Sequence, residues 1–307
     1  MLKRKDLLEI KSLEEDEILS ILHTAKDMKK KIDNTCLRND ELKNKSVVTL
    51  FYENSTRTKM SFMLAADYLG AKPQDLGIAT SSVNKGESLI DTGVTLDQMG
   101  INAMVIRHSL TGASHLLAKN VKASVINAGD GSNEHPTQAL LDMYSILEEK
   151  GKIEGLNVAI IGDIANSRVA RSNVFGLTKL GANVTLAGPS TLVSKNMETL
   201  AKGVKVVNNI EDGIKNADVI MGLRVQFERQ KKMPFPNTRE YHQFFGLKED
   251  MLSLAKDDVT IMHPGPVNRG VELSTDVIDG KNSIINEQVK NGVAVRMAIL
   301  KLLLDNR

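Results

Sequence analysis

The chain has 307 residues, enough for two domains with a core each, and its 41% apolar and 25% charged residues describe an ordinary globular protein. A formal charge of +2, with no Lys/Arg block and no basic patch interleaved with aromatics, excludes bulk nucleic-acid binding. One cysteine, Cys36, excludes an internal disulfide and a cysteine-built zinc cage; with no signal-peptide core after Met1 and no apolar run near the ~20 residues of a membrane span, a cytoplasmic protein is expected.

In chain order, Ser12-Leu13-Glu14-Glu15 reads as a capping box opening a helix whose apolar stripe is Ile18, Ile21, Leu22, Ala25, Met28 and Ile32. Residues 47–52 read as a strand and 56–69 as a helix stopped by Gly70. Between them lies Glu53-Asn54-Ser55-Thr56-Arg57-Thr58. Ser55, Thr56 and Thr58 offer hydroxyl donors, Arg57 a fork that grips two oxygens, and the helix start attracts negative charge, so the turn suits a dianionic phosphate. Ser-Thr alone would be an ordinary helix cap; the Arg within it and the second Thr favour an anion site.

The polar stretch Ser81–Ser88 precedes a helix over roughly 87–99 and has, on its chemistry alone, even odds of being a surface loop or a site. A strand over 103–106 ends in Arg107-His108, where open α/β sheets place binding groups. A third strand, 125–127, feeds the loop 128–133 and then His135-Pro136-Thr137-Gln138, with a helix from Pro136 to about Glu149. A helix N-terminus disfavours imidazolium, which keeps His135 a neutral hydrogen-bond donor, and Gln138 adds an amide able to hold an NH₂ group.

Gly151 and Gly155 bracket a change of unit, after which strands at 158–161, 184–186, 205–207, 219–221 and 259–262 alternate with helices, the first near 167–179. Residues 225–246, with two prolines, four phenylalanines and dense charge, read as a long functional loop, and Val289–Leu304 as a helix. Gly162-Asp163 lacks the full glycine fingerprint of a dinucleotide site. Arg168 and Arg224, following two strand ends, suit a dicarboxylate, one guanidinium per carboxylate. In Met262-His263-Pro264-Gly265-Pro266, prolines around a glycine make a rigid turn with free carbonyls that can accept from an NH₂ group. The expected class is α/β: two doubly wound domains, each a parallel sheet flanked by helices.

These motifs, in this order and over nearly the whole chain, resemble those of the aspartate and ornithine carbamoyltransferases. The stretch 127–138 is similar to the aspartate-accepting form; Gly265 stands where ornithine-accepting members carry a Cys-Leu-Pro after the histidine, which favours aspartate as acceptor. The resemblance implies a carbamoyl-phosphate domain over 1–148 with helix 288–307 packed back on it, an aspartate domain over 149–287, and an active site in the cleft between them. It implies transfer of the carbamoyl group to L-aspartate in pyrimidine synthesis, with no cofactor and no metal.

By resemblance, Ser55, Thr56, Arg57 and Thr58 hold the phosphate; Thr58, Arg107 and His135 polarise the carbonyl; Gln138 with the Gly265–Pro266 backbone holds the NH₂. Arg168, Arg224 and Gln226 bind aspartate, Lys85 bridges both ligands, and Ser81 and Lys85 come from the adjacent subunit of a homotrimer. Glu53 is expected to latch closure against Arg168 and Arg229. Arg57, Lys85, Arg107, Arg168 and Arg224, five cations in a nearly neutral chain, also call for anionic ligands. Separate regulatory chains are left open, and Met63 replaces a Glu usual on the phosphate helix. The alternatives are an ornithine-accepting enzyme and a non-catalytic anion-binding scaffold of the same fold.

Overall fold

The structure, a computed structural model, describes residues 2–34, 39–78, 81–226 and 237–305. The chain divides into two compact units, Met1–Tyr144 with Val289–Arg307, and Ser145–Gln288.

The first unit runs α1 (Glu15–Asp33), β1 (Ser46–Phe51), α2 (Thr56–Tyr68), β2 (Lys72–Leu76), a 3₁₀ turn at Ser82–Lys85, α3 (Leu89–Gln98), β3 (Ala103–His108), α4 (Ala113–Asn120), β4 (Ser124–Asp130) and the start of α5 (Pro136–Lys150). Its strands pair in parallel in the order β2-β1-β3-β4. The nearly continuous apolar runs of β1 and β3 are what a sheet covered on both faces requires. β2 was not anticipated: Lys72-Pro73-Gln74-Asp75-Leu76 has no apolar alternation, and a proline is tolerated there because the strand is an edge. The opposite edge is covered by the N-terminal segment, where Leu7 N–H donates to Val125 O and Asn127 N–H to Leu7 O, both at 2.9 Å.

Two expectations shift in this unit. The capping box sits two residues later, with Glu14 N–H donating to the Glu17 carboxylate at 3.0 Å, while the Ser12 hydroxyl accepts from Arg4 instead. β4 extends through Ala128-Gly129-Asp130, read above as loop, because that stretch is fully buried and pairs on to His108. α4 was also missed, its eight residues being too few for a clear periodicity.

The second unit runs β5 (Asn157–Gly162), α6 (Arg168–Lys179), β6 (Asn183–Ala187), β7 (Lys205–Val207), α7 (Ile210–Ile214), β8 (Val219–Leu223), α8 (Thr238–Phe245), β9 (Thr260–Met262), α9 (Thr275–Ile278) and the start of α10 (Ile285–Leu304). Its parallel strand order is β7-β6-β5-β8-β9, over a core that includes Ile161, Ile214, Ile220, Ile261 and Leu273. Part of the stretch expected to be loop is α8, capped by Asn237, whose side chain accepts from Glu240 N–H at 2.9 Å. Tyr241 of that helix is fully buried against Leu192 and Val225; the surrounding charges obscured its apolar face. Among the described residues no helix is long and apolar enough to cross a membrane.

Candidate functional site

Each sheet reverses strand order once, between β1 and β3 and between β5 and β8, and an open α/β sheet leaves a crevice at the carboxyl ends of such a pair. In the first unit the register sets Phe51 opposite Arg107, and Tyr52 N–H donates to Arg107 O at 2.9 Å. The phosphate turn after β1 therefore lies beside the end of β3. Ser55 is extended (φ −161°, ψ 91°) and N-caps α2 through its carbonyl, which accepts from Lys59 N–H at 3.2 Å; its side chain makes no capping bond, so the hydroxyl is not spent on its own helix. Thr58 is buried, whereas Thr56 and Arg57 are exposed, a cation at the mouth of a helix N-terminus. Met63 is half-buried one turn further on.

The Arg107 guanidinium donates from Nη1 to Ala128 O at 3.2 Å, and its Nε lies 3.5 Å from a Glu53 carboxylate oxygen. Glu53 thus engages a cation of its own unit; Arg229, the other half of the expected latch, lies outside the described residues. Burial pushes the neighbouring His108 imidazole below its ordinary value against the pull of Glu53 and Asp130, and its Nδ1 accepts from Leu110 N–H at 2.9 Å, as only a neutral ring can.

The loop before α5 is braced by two buried carboxylates. Asp130 accepts from Gly112 N–H at 2.7 Å and from Asn127 Nδ2 at 2.8 Å, and Glu134 from the Ile10 and Lys11 N–H groups at 2.7 and 3.2 Å. Gly131 is in the left-handed region (φ 49°), and a Cβ there would lie 2.7 Å from Thr111 N, so only glycine closes this turn. His135, 4% exposed, caps α5 with a carbonyl accepting from Gln138 and Ala139 N–H at 3.1 and 3.2 Å. Gln138 Nε2 donates to Asp142 Oδ1 at 2.9 Å. Ser81 and Lys85 follow the edge strand β2; the Ser81 hydroxyl donates to Ile78 O at 2.9 Å, and Lys85 is exposed at the end of the 3₁₀ turn.

In the second unit Gly162 (φ 118°) faces Leu223 across the switch point, and a Cβ there would meet Leu223 O at 2.5 Å. Asp163, fully buried, accepts from Asn166 Nδ2 at 2.9 Å and from Gln226 N–H at 3.2 Å, while Gln226 Nε2 donates to Asn166 O at 3.0 Å. Arg168 opens α6 and is buried, behind a Ser167 hydroxyl that accepts from Ala170 N–H at 3.1 Å; Arg224, after β8, is half-buried. Past β9 the Gly265–Pro266 peptide is cis. Gly265 N–H donates to His263 Nδ1 at 2.8 Å, so that ring nitrogen is the acceptor and Nε2 carries the proton towards Glu272, 3.2 Å away.

The carboxyl ends of the first sheet therefore collect Ser55–Thr58, Arg107, His135, Gln138, Ser81 and Lys85, and those of the second collect Arg168, Arg224, Gln226, Gly265 and Pro266. Sequence reasoning missed the bracing residues Asp130, Glu134, Asp142, Asp163 and Glu272. Only Gln138 and Asp142, four apart on one helix face, carried a readable signal. Among the described residues no group of three or more His, Cys, Asp or Glu side chains is arranged to hold a metal ion.

Residues 5–148 match the family model described as aspartate/ornithine carbamoyltransferase, carbamoyl-P binding domain, and residues 154–303 the one described as the Asp/Orn binding domain. The chain is 60% identical over 303 residues to the aspartate carbamoyltransferase catalytic subunit of Acetivibrio thermocellus, covering 99% of this chain and 96% of that one. Its fold is similar to that of aspartate transcarbamoylase from Trypanosoma cruzi in complex with carbamoyl aspartate and phosphate (TM-score 0.89, 30% identity, 99% of this chain and 97% of that one). The fold is also similar to that of ornithine carbamoyltransferase from Pyrococcus furiosus (TM-score 0.87, 30% identity, 98% of this chain and 97% of that one), so the overall fold does not distinguish the two enzymes.

Proposed function

Because the chain belongs to the aspartate/ornithine carbamoyltransferase family, we propose that its first unit binds carbamoyl phosphate and its second L-aspartate, the product being carbamoyl aspartate. The observation that carries this is the register at the first switch point, which sets the phosphate turn beside Arg107, with the strand leading to His135 next in line. Ser55, Thr56, Arg57 and Thr58 grip the phosphate. Thr58, Arg107 and His135 donate to the carbonyl oxygen as it becomes an oxyanion, and Gln138 with the Gly265 and Pro266 carbonyls takes the NH₂. Arg168, Arg224 and Gln226 hold the aspartate carboxylates, and Lys85 serves both ligands.

The aspartate amine attacks the carbonyl carbon, the bond to the phosphate oxygen breaks, and the leaving phosphate accepts the amine proton. No protein nucleophile enters; the rate comes from donors already in place. The reaction is a step of pyrimidine synthesis and runs in the cytoplasm. The working form is a homotrimer in which Ser81 and Lys85 complete a neighbour's site. Inactive Lys85→Ala and Arg57→Ala chains, mixed and reassembled, should then regain activity; no recovery despite subunit exchange would refute sharing.

Assaying both acceptors with carbamoyl phosphate tests the activity. Aspartate should be carbamoylated and ornithine should not, since its second ammonium would face Arg168 and Arg224. Comparable rates with ornithine would overturn the choice of acceptor.

A further inference from the structure

Gln138 can hold an NH₂ group only if its carbonyl oxygen, not its own NH₂, faces the ligand. An amide has no intrinsic preference between the two orientations, and turning it over replaces an acceptor with a donor. What decides the matter lies one turn further along α5. Asp142 is fully buried and takes the Gln138 Nε2 at 2.9 Å. An ionised carboxylate only accepts, so the amide must direct its NH₂ inward and its oxygen outward.

Keeping a fully buried carboxylate ionised requires a buried cation, and the terminal helix supplies one. Arg296 of α10 is 3% exposed; burial lowers its pKa to about 10, and the charge of Asp142 acts against that fall. A guanidinium stays protonated at such a value, and its charge favours the ionised form of Asp142. The same guanidinium lies 5.2 Å from the ring centroid of Phe62 on α2, the helix that begins at the phosphate turn. Its path runs over Gly292, where a Cβ would come within 2.5 Å of Arg296 Nη1.

We propose that Asp142 is a positioning residue that fixes the amide of Gln138 with its oxygen towards the ligand, and so makes the site selective for a phosphate ester bearing NH₂ over one bearing CH₃. The inference rests on the role given to Gln138 under the proposed function.

Acetyl phosphate is the probe: it has the shape of carbamoyl phosphate with a methyl in place of the NH₂. The ratio of the two dissociation constants, measured by calorimetry on the whole protein, reads the amide orientation; overall weakening of the site would move both constants together. The wild-type protein should favour carbamoyl phosphate. Asp142→Asn lets the amide turn over, because the new side chain can donate to it, and the preference should fall on the order of tenfold or more through loss of a hydrogen bond. Gln138→Ala should lose it equally, and adding Asp142→Asn to that variant should change nothing further. Should Asp142→Asn alone fail to fold, Asp142→Asn with Arg296→Met removes both buried charges together and should show the same fall.

If Gln138→Ala leaves the ratio unchanged, the role given to Gln138 fails and the inference falls with it. If Gln138→Ala abolishes the preference while the Asp142 variants keep it, or if the two effects add, the positioning role alone is overturned.

Discussion

In the first unit the residues that face the proposed ligand are held from several directions by buried carboxylates: Asp130 and Glu134 under His135, and Asp142 under Gln138. In the second, Asp163 ties the loop after β5 to the loop after β8, and Glu272 holds the turn after β9 through His263 and the Asn268 N–H. The two sheets share a rule of topology, a reversal of strand order, yet differ in what the carboxylates hold: the start of a helix and an amide on it in the first, loop against loop in the second. An oxyanion site gains from fixed donors because reorganisation at the moment of reaction costs rate.

The comparison breaks first at Arg57. Arg57→Ala removes the fork from the phosphate turn and should lower kcat/KM about a hundredfold or more, in steady-state assays with either substrate varied. Near-normal turnover would mean that the turn does not bind the phosphate.

Gly162→Ala attacks the second switch point. A Cβ in the left-handed region, 2.5 Å from Leu223 O, should cost about 3 kcal/mol, read as a lower melting temperature. Hydrogen exchange should rise in β5 and β8 and stay slow in β1 and β3; uniform loss of protection would show that the units do not answer separately.

Arg224→Ala should raise the aspartate KM on the order of tenfold, worth about 1.5 kcal/mol, and leave that for carbamoyl phosphate within about twofold. Equal losses for both substrates would dissolve the division of labour.

The smallest effect belongs to a bridge that ties the terminal helix to the first unit. Burial pushes the Glu41 carboxyl up, but hydrogen bonds from Lys301 and Lys31 outweigh it and hold it below its ordinary value. A lowered carboxyl contributes stability above its unfolded pKa and loses it as pH falls through the folded one. The melting-temperature deficit of Glu41→Gln should therefore be full at pH 7 and shrink below about pH 4, and solvent screening keeps it under about 1 kcal/mol. A deficit that persisted at pH 2 would assign the loss to packing.

The sequence showed its architecture wherever strands are buried on both faces, since β1, β3, β5 and β8 are apolar runs that end in a glycine, an arginine or a hydroxyl-rich turn. It hid β2, an edge with a proline, and α8, whose buried Tyr241 is surrounded by charge. Residues proposed to meet a ligand were legible because their chemistry is unusual for their position: an arginine in a helix cap, a glutamine one turn into a helix. Their supports were not. Glu134 is fixed by backbone N–H groups 124 and 123 residues away, and no local pattern can encode a partner at that separation.

The terminal helix carries a consequence for how the chain is made. Residues 145–288 are contiguous and have everything their core needs once they have been synthesised. The first unit does not, because Val295, Met297, Ile299 and Leu300 are buried within it and Arg296 lies over the Phe62 ring of α2. On the ribosome the domain begun first must wait for these side chains until residues 289–304 have been synthesised. A nascent chain stalled before residue 289 should hold a finished second unit and an unfinished first, which makes late truncations more damaging to the carbamoyl-phosphate site than their distance in sequence suggests.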